Sequence, residues 1–101
     1  MTGGGLRAGN GVTSPTLIMR VPPEYTADAM RARMQGVVIL ECVVQTDGRC
    51  TDIRIVRSLD RAFGLDQKAV AAAQKWLFRP GLRQGEPVPV FVTLEIGFAI
   101  R

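Results

Sequence analysis

Val37-Val38-Ile39-Leu40-Glu41-Cys42-Val43-Val44, then Gln45-Thr46-Asp47-Gly48-Arg49, then Cys50-Thr51-Asp52-Ile53-Arg54-Ile55-Val56-Arg57, is the stretch that decides the fold. β-Branched residues crowd both runs, and their stiff side chains suit a pleated surface. Asp47-Gly48 between them signals a hairpin, because both central residues of a type I′ turn need positive φ. With those two residues as the loop, Thr46 faces Arg49, Cys42 faces Ile53 and Leu40 faces Ile55. Val38, Leu40, Cys42 and Val44 then share one face with Ile53 and Ile55. Strands are expected over residues 37–44 and 51–57.

Upstream, residues 26–34 carry helix formers behind a plausible N-cap, Thr26. Ala29, Met30 and Met34 supply the apolar spacing and Gly36 closes a helix of about two turns. Leu17, Ile18, Met19 and Val21 form an apolar run ended by Pro22-Pro23, which suits an extended segment. Residues 1–15 read as a flexible Gly-rich linker, leaving residues 16–101 as the domain. Downstream, residues 58–64 are a loop. Leu65, Ala69, Ala72, Ala73 and Trp76 recur at helical steps and predict the main helix over residues 65–78, stopped by Pro80-Gly81. Asp66 near its start and Lys75 near its end suit the helix dipole. After a turn at residues 84–87, Val88, Val90, Val92, Leu94, Ile96, Phe98 and Ile100 alternate with other residues and predict a long final strand.

The expected fold is α+β: a short N-terminal helix, then ββαβ. A right-handed crossover drops the last strand beside the first, making a three-stranded antiparallel sheet of order 2-1-3 with the main helix on one face. The last strand is left as a free edge.

Length and composition restrict what such a fold can do. One hundred and one residues, 47% hydrophobic and 22% charged, make one globular domain. Histidine is absent. That removes Ser/His/Asp and Cys/His catalysis, and with no other pairing of nucleophile and base the chain reads as a non-enzyme. Cys42 and Cys50 without histidine make no convincing metal site, and no cofactor motif is present. The net charge of +4 is spread along the chain. Arg31, Arg33, Arg54, Arg57, Arg61, Arg79 and Arg83 suggest a polyanion, but no strand carries the paired aromatics of an RNA-binding sheet, so no nucleic-acid partner is expected. No apolar run approaches the ~18 residues that span a bilayer. The opening Met1-Thr2-Gly3-Gly4-Gly5 reads as a lead-in, so an anchor upstream is left open.

The most informative feature is the last strand. Proteins usually blunt a free edge with charge, proline or a bulge. Here Pro87 and Pro89 guard only its beginning, and Glu95 is the sole charge between Val88 and Ile100. Two readings are open: a partner's extended peptide adds to it, or the N-terminal segment or another copy covers it. On the sheet's other face Val37, Ile39, Val43, Val56 and Phe91 make a large apolar patch, to be covered by the Leu17 to Val21 run or by a second copy in a homodimer. Trp76 reads as core. Cys42 and Cys50 fall on opposite faces and about 10 Å apart along the strand, so they read as independent buried thiols. A bulge near Thr51 would instead turn Cys50 inward.

Tyr25, Ala29, Gly36, the run Val38-Leu40-Cys42-Val44, Asp47-Gly48-Arg49, Ile53 and Ile55, Ser58, Leu65-Asp66, Ala69, Ala72 and Trp76-Leu77-Phe78-Arg79-Pro80 together resemble the C-terminal domain family of TonB, the energy transducer of Gram-negative bacteria. The resemblance covers residues 22–100. Its most specific element is the Asp-Gly-Arg turn at this distance before Trp-x-Phe-x-Pro. It implies a periplasmic domain, tethered to the inner membrane by an N-terminal anchor and driven there by an ExbB/ExbD-type motor. It also implies a partner, the TonB box of TonB-dependent outer-membrane transporters, paired with the last strand. By position the contact falls on Val90, Phe91, Val92, Thr93, Leu94, Glu95, Ile96, Gly97 and Phe98, with side-chain contacts from Pro22, Pro23, Glu24 and Tyr25. Val92→Pro is expected to abolish the pairing if the Val92 N–H faces the partner. Two positions depart from the family pattern: Thr26 stands where Pro usually follows the tyrosine, and Pro22 stands where some members have a polar side chain. The rival reading is a homotypic assembly module whose open edge pairs with itself.

Overall fold

A computed structural model describes residues 5–100; residues 1–4, the start of the expected linker, and residue 101 lie outside the described residues. The elements run β1 (Thr16–Met19), α1 (Ala27–Arg31), β2 (Gly36–Val44), β3 (Cys50–Arg57), α2 (Leu65–Ala73), β4 (Leu77–Arg79), β5 (Gly81–Arg83), β6 (Glu86–Val88) and β7 (Val90–Phe98). The main sheet has the order β3-β2-β7, antiparallel throughout. Two-stranded pairings β1-β4 and β5-β6 accompany it.

The core forms where alternation and helical spacing meet. Val38, Leu40, Cys42 and Val44 from β2 and Leu94, Ile96 and Phe98 from β7 are buried with Ala69, Ala73 and Trp76. Alanines at the contact let α2 approach the sheet closely, and the Trp76 ring fills the space at its end. The indole N–H donates to the Val21 carbonyl at 2.9 Å, so its one polar atom is satisfied.

The hairpin differs from the expected two-residue loop. Gly48 has φ +88 while Asp47 is not in the positive-φ region. Gln45 donates to the Arg49 carbonyl (3.0 Å) and Gly48 to that of Gln45 (2.9 Å). A type I turn followed by a left-handed glycine therefore makes a three-residue loop. The Asp47 carboxylate accepts the Arg49 N–H at 3.0 Å. Glycine is required at 48 twice over, because a Cβ there would sit 2.1 Å from the Phe78 carbonyl oxygen.

Leu40 pairs with Ile55 and Glu41 with Arg54, but the register shifts before Val43 pairs with Thr51 and Val44 with Cys50. Asp52, at φ +52, is the extra residue. The bulge reverses the side-chain alternation, so Cys50 points inward on the same face as Ile53. This corrects the expected Cys42–Ile53 pairing and the reading of two separate thiols: Cys42 and Cys50 form a disulfide, with Cα atoms 5.6 Å apart.

α1 is shorter than residues 26–34. Thr26 caps it, accepting the Ala29 N–H at 3.1 Å. Arg33, at φ +55, stops it. Met34 donates to the Ala29 carbonyl and Arg33 to that of Met30, a Schellman closure made without glycine. Gly36 is the first residue of β2 and not the helix terminator.

α2 also ends before the expected residue 78. Leu77–Arg79 becomes strand β4, paired with β1, and Phe78 donates to the Gly48 carbonyl at 2.8 Å. Docking on the hairpin turn outweighs the helical spacing of those residues. The expected turn at residues 84–87 contracts to Gln84 and Gly85, both at positive φ, joining β5 to β6.

Asp66 does more than complement the helix dipole. Its carboxylate accepts the Ser58 hydroxyl and the N–H groups of Leu59 and Asp60. Burial pushes its pKa up, but these hydrogen bonds and the nearby Arg61 charge outweigh that and hold it below the ordinary value. Asp60 in turn accepts from the N–H groups of Ala62, Phe63 and Leu65. Two buried carboxylates thereby order the whole loop before α2.

Candidate functional site

The outer edge of β7 is the chemically distinctive surface. β2 and β7 pair without a register shift from Gly36–Phe98 to Val44–Val90. In such a ladder alternate residues turn both backbone groups to the same side. Phe91 donates its N–H outward, to the Leu6 carbonyl at 2.9 Å. Thr93, Glu95 and Gly97 therefore also turn their N–H and C=O groups outward, while Val92, Leu94 and Ile96 bond to β2. Among the described residues, no backbone group pairs with the edge beyond Phe91.

A groove of ≈ 400 Å³ runs beside this open stretch, lined by Pro15, Leu17, Arg20, Trp76, Phe78, Val92, Thr93, Leu94 and Glu95. Leu17 of β1, Trp76 just beyond α2 and Phe78 of β4 give the groove apolar and aromatic walls beside β7. The Arg20 guanidinium lies 5.7 Å from the Trp76 ring centroid. This is the arrangement strand addition needs: unpaired main-chain groups for affinity, and a neighbouring hollow for alternate side chains of the added strand.

The expected site residues divide between two places. Thr93, Glu95 and Gly97 present the outward backbone, and Val92 and Leu94 face the groove. Val90, Ile96 and Phe98 are buried in the core and support the strand. Phe91 is already engaged by Leu6, so the edge is not free at its first residues. Pro22, Pro23 and Glu24 line a separate hollow with Lys68, Ala71, Ala72 and Lys75. Glu24 forms an ion pair with Lys68 at 3.5 Å. The Tyr25 hydroxyl donates to the Met34 carbonyl at 2.7 Å, and its ring packs edge-on against Phe98 at 5.5 Å. Leu17, Arg20 and Phe78 reach the groove and were not among the residues the sequence singled out for it. In the sequence only the apolar run containing Leu17 hints at them, and its expected place, with a second copy as the alternative cover, is over the opposite face.

That opposite face is covered in part, from another source. Residues 5–7 lie on its Val43–Phe91 end, with an Arg7–Glu41 ion pair at 3.2 Å and the Arg7 guanidinium 4.5 Å from the Phe91 ring centroid. β1 instead pairs with β4 and keeps Leu17, Ile18 and Met19 exposed. Val37 and Val56 also stay exposed, at 43% and 55%. Glu41 accepts from Arg54 at 2.8 Å as well as from Arg7. These two hydrogen bonds, Arg54 first, hold its pKa below the ordinary 4.5.

The fold is thus that of a small α+β domain whose last strand is open at a sheet edge beside an apolar groove. Residues 21–100 match the family model described as the Gram-negative bacterial TonB protein C-terminal. The chain belongs to that family. It is 35% identical over 79 residues to Protein TonB of Xanthomonas campestris pv. campestris (strain B100), covering 78% of this chain and 35% of that one. It is 36% identical over 78 residues to Protein tonB2 of Pseudomonas aeruginosa, covering 77% of this chain and 28% of that one. The chain thus spans about a third of the length of these curated relatives. The solution NMR structure of the Pseudomonas aeruginosa TonB CTD superposes with a TM-score of 0.68 at 26% identity, covering 92% of this chain and 90% of that one.

Proposed function

We propose that this domain is the periplasmic, partner-binding end of a TonB-type energy transducer. It takes the TonB box of TonB-dependent outer-membrane transporters as an added strand on β7. In the full-length protein an N-terminal anchor in the inner membrane couples it to an ExbB/ExbD-type motor, whose proton-motive energy it passes on as a pull for active uptake. Among the described residues no helix is long and apolar enough to cross a membrane, so the anchor in this reading lies elsewhere in the protein.

One observation carries the reading: Thr93, Glu95 and Gly97 present unpaired main-chain groups along an unbroken strand beside an apolar groove. Each added hydrogen bond contributes only about 1 kcal/mol net. Several loaded together along the strand axis suit a contact that forms transiently and then bears force. Titrating a TonB-box peptide into the labelled protein is expected to slow hydrogen exchange at the Thr93, Glu95 and Gly97 amides and to shift the Trp76 indole resonance. Saturable binding that leaves all three amides unprotected would refute the site.

A further inference from the structure

We propose that residues 5–7 are a built-in placeholder strand, which occupies the beginning of the outer edge of β7 and is displaced when an extended peptide binds there. The proposal rests on the reading of β7 as a peptide-binding edge. Leu6 donates its N–H to the Pro89 carbonyl at 2.8 Å and accepts the Phe91 N–H at 2.9 Å, an isolated parallel bridge opposite Val90. This is the hydrogen-bond pattern of strand addition, supplied by the chain itself over a single rung.

Side chains hold the segment in place without locking it. The Arg7 guanidinium stacks over Phe91 and reaches Glu41, yet the Arg7 side chain remains 71% exposed. Contacts of this kind are weak one by one. Gly5 lies so close to the sheet that a Cβ there would be 3.1 Å from the Phe91 ring and 3.2 Å from Val43. The segment fits this position and is held by little.

The chain also stops itself from going further along the edge. Gly9, Asn10 and Gly11 all have positive φ, and Gly9 and Val12 exchange hydrogen bonds across a tight turn. The turn redirects the backbone to β5, where Thr13 donates to the Leu82 carbonyl and its hydroxyl oxygen accepts the Leu82 N–H. Thr93, the next outward donor after Phe91, is left open. A displaced segment stays tethered at Thr13, so it competes at a high effective concentration. An incoming strand that pairs only from Thr93 to Gly97 meets no competitor; one that also uses Phe91 must expel Leu6.

The test compares the full chain with the double variant Leu6→Pro/Arg7→Ala, and with Arg7→Ala, which leaves the backbone unaltered. Amide exchange is measured on the free proteins, and affinity by calorimetry with a TonB-box peptide long enough to span Phe91 to Gly97. The double variant is expected to exchange the Phe91 amide at least about tenfold faster, with Val90 and Val92 unchanged as the sign of an intact sheet. Its peptide affinity is expected to rise about three- to tenfold, with a smaller rise for Arg7→Ala. Equal Phe91 exchange in all the proteins would overturn the self-pairing. A freed Phe91 amide with unchanged affinity would overturn the competition. Loss of peptide binding in every protein, the parent included, would instead overturn the reading of β7 on which the proposal rests, and the placeholder role with it.

Discussion

The two outer strands of the main sheet are treated in opposite ways. β3 carries Asp52, Arg54 and Arg57, departs twice from regular register and has a left-handed aspartate at its bulge. β7 carries one charge, Glu95, and pairs without interruption over nine residues. Charge and bulges are how proteins deny an edge to other strands. Within one small sheet, the same chain protects one outer edge thoroughly and leaves the other unblunted.

Neighbouring proline substitutions on β7 break the comparison most severely. Val92 turns its N–H into the ladder with β2, so Val92→Pro removes an internal hydrogen bond and is expected to cost about 3 kcal/mol of stability in denaturant unfolding. Thr93 turns its N–H outward. Thr93→Pro is expected to fold nearly as well as the parent but to bind a TonB-box peptide about 10- to 100-fold more weakly, by calorimetry. Equal loss of stability in both variants would mean that the assignment of inner and outer donors is wrong.

Removal of the disulfide tests the blunted edge. Cys42→Ser/Cys50→Ser opens a loop of sequence separation 8. The expected loss is about 2–3 kcal/mol in unfolding experiments, with unchanged peptide affinity in the folded variant. A parallel loss of affinity would show that the geometry of β3 is transmitted across β2 to β7.

The smallest effect is one of pH. Glu41, on the central strand, holds Arg54 of β3 on one side and Arg7 of the placeholder on the other. Its pKa is lowered in the folded protein by those two partners, so its contribution is fully present above the ordinary 4.5 and is lost as pH falls through the lowered value. The Arg7 and Arg54 side-chain NMR signals are expected to hold steady from pH 7 to 5 and to move together only at more acid pH. Glu41→Gln should remove that acid transition.

The regular elements were legible because they obey a simple period. Alternation located β2, β3 and β7 to within two residues at most of their ends, and helical steps located the beginning of α2. The failures all involve residues governed by something distant or by one unusual dihedral. Leu77 and Phe78 continue the helical spacing, but the Gly48 carbonyl and β1 capture them as a strand. Asp52 carries no mark of a bulge beyond the tolerance of aspartate for positive φ, yet that single residue decides that Cys50 meets Cys42. Within the site, the alternation of β7 revealed the open edge, whereas one backbone rung at Leu6 leaves no periodic trace in a Gly-rich segment. The groove wall was equally hidden, because it depends on where β1 lies and not on what β1 contains.

Mechanical stretching gives the disulfide a second meaning. The residues between Cys42 and Cys50 would span roughly 28 Å if drawn straight, but the bridge fixes the Cα atoms at 5.6 Å. A molecule pulled from its ends therefore withholds about 22 Å of contour length while oxidised, and the hairpin tip on which β4 is docked travels through the unfolding event as a closed ring.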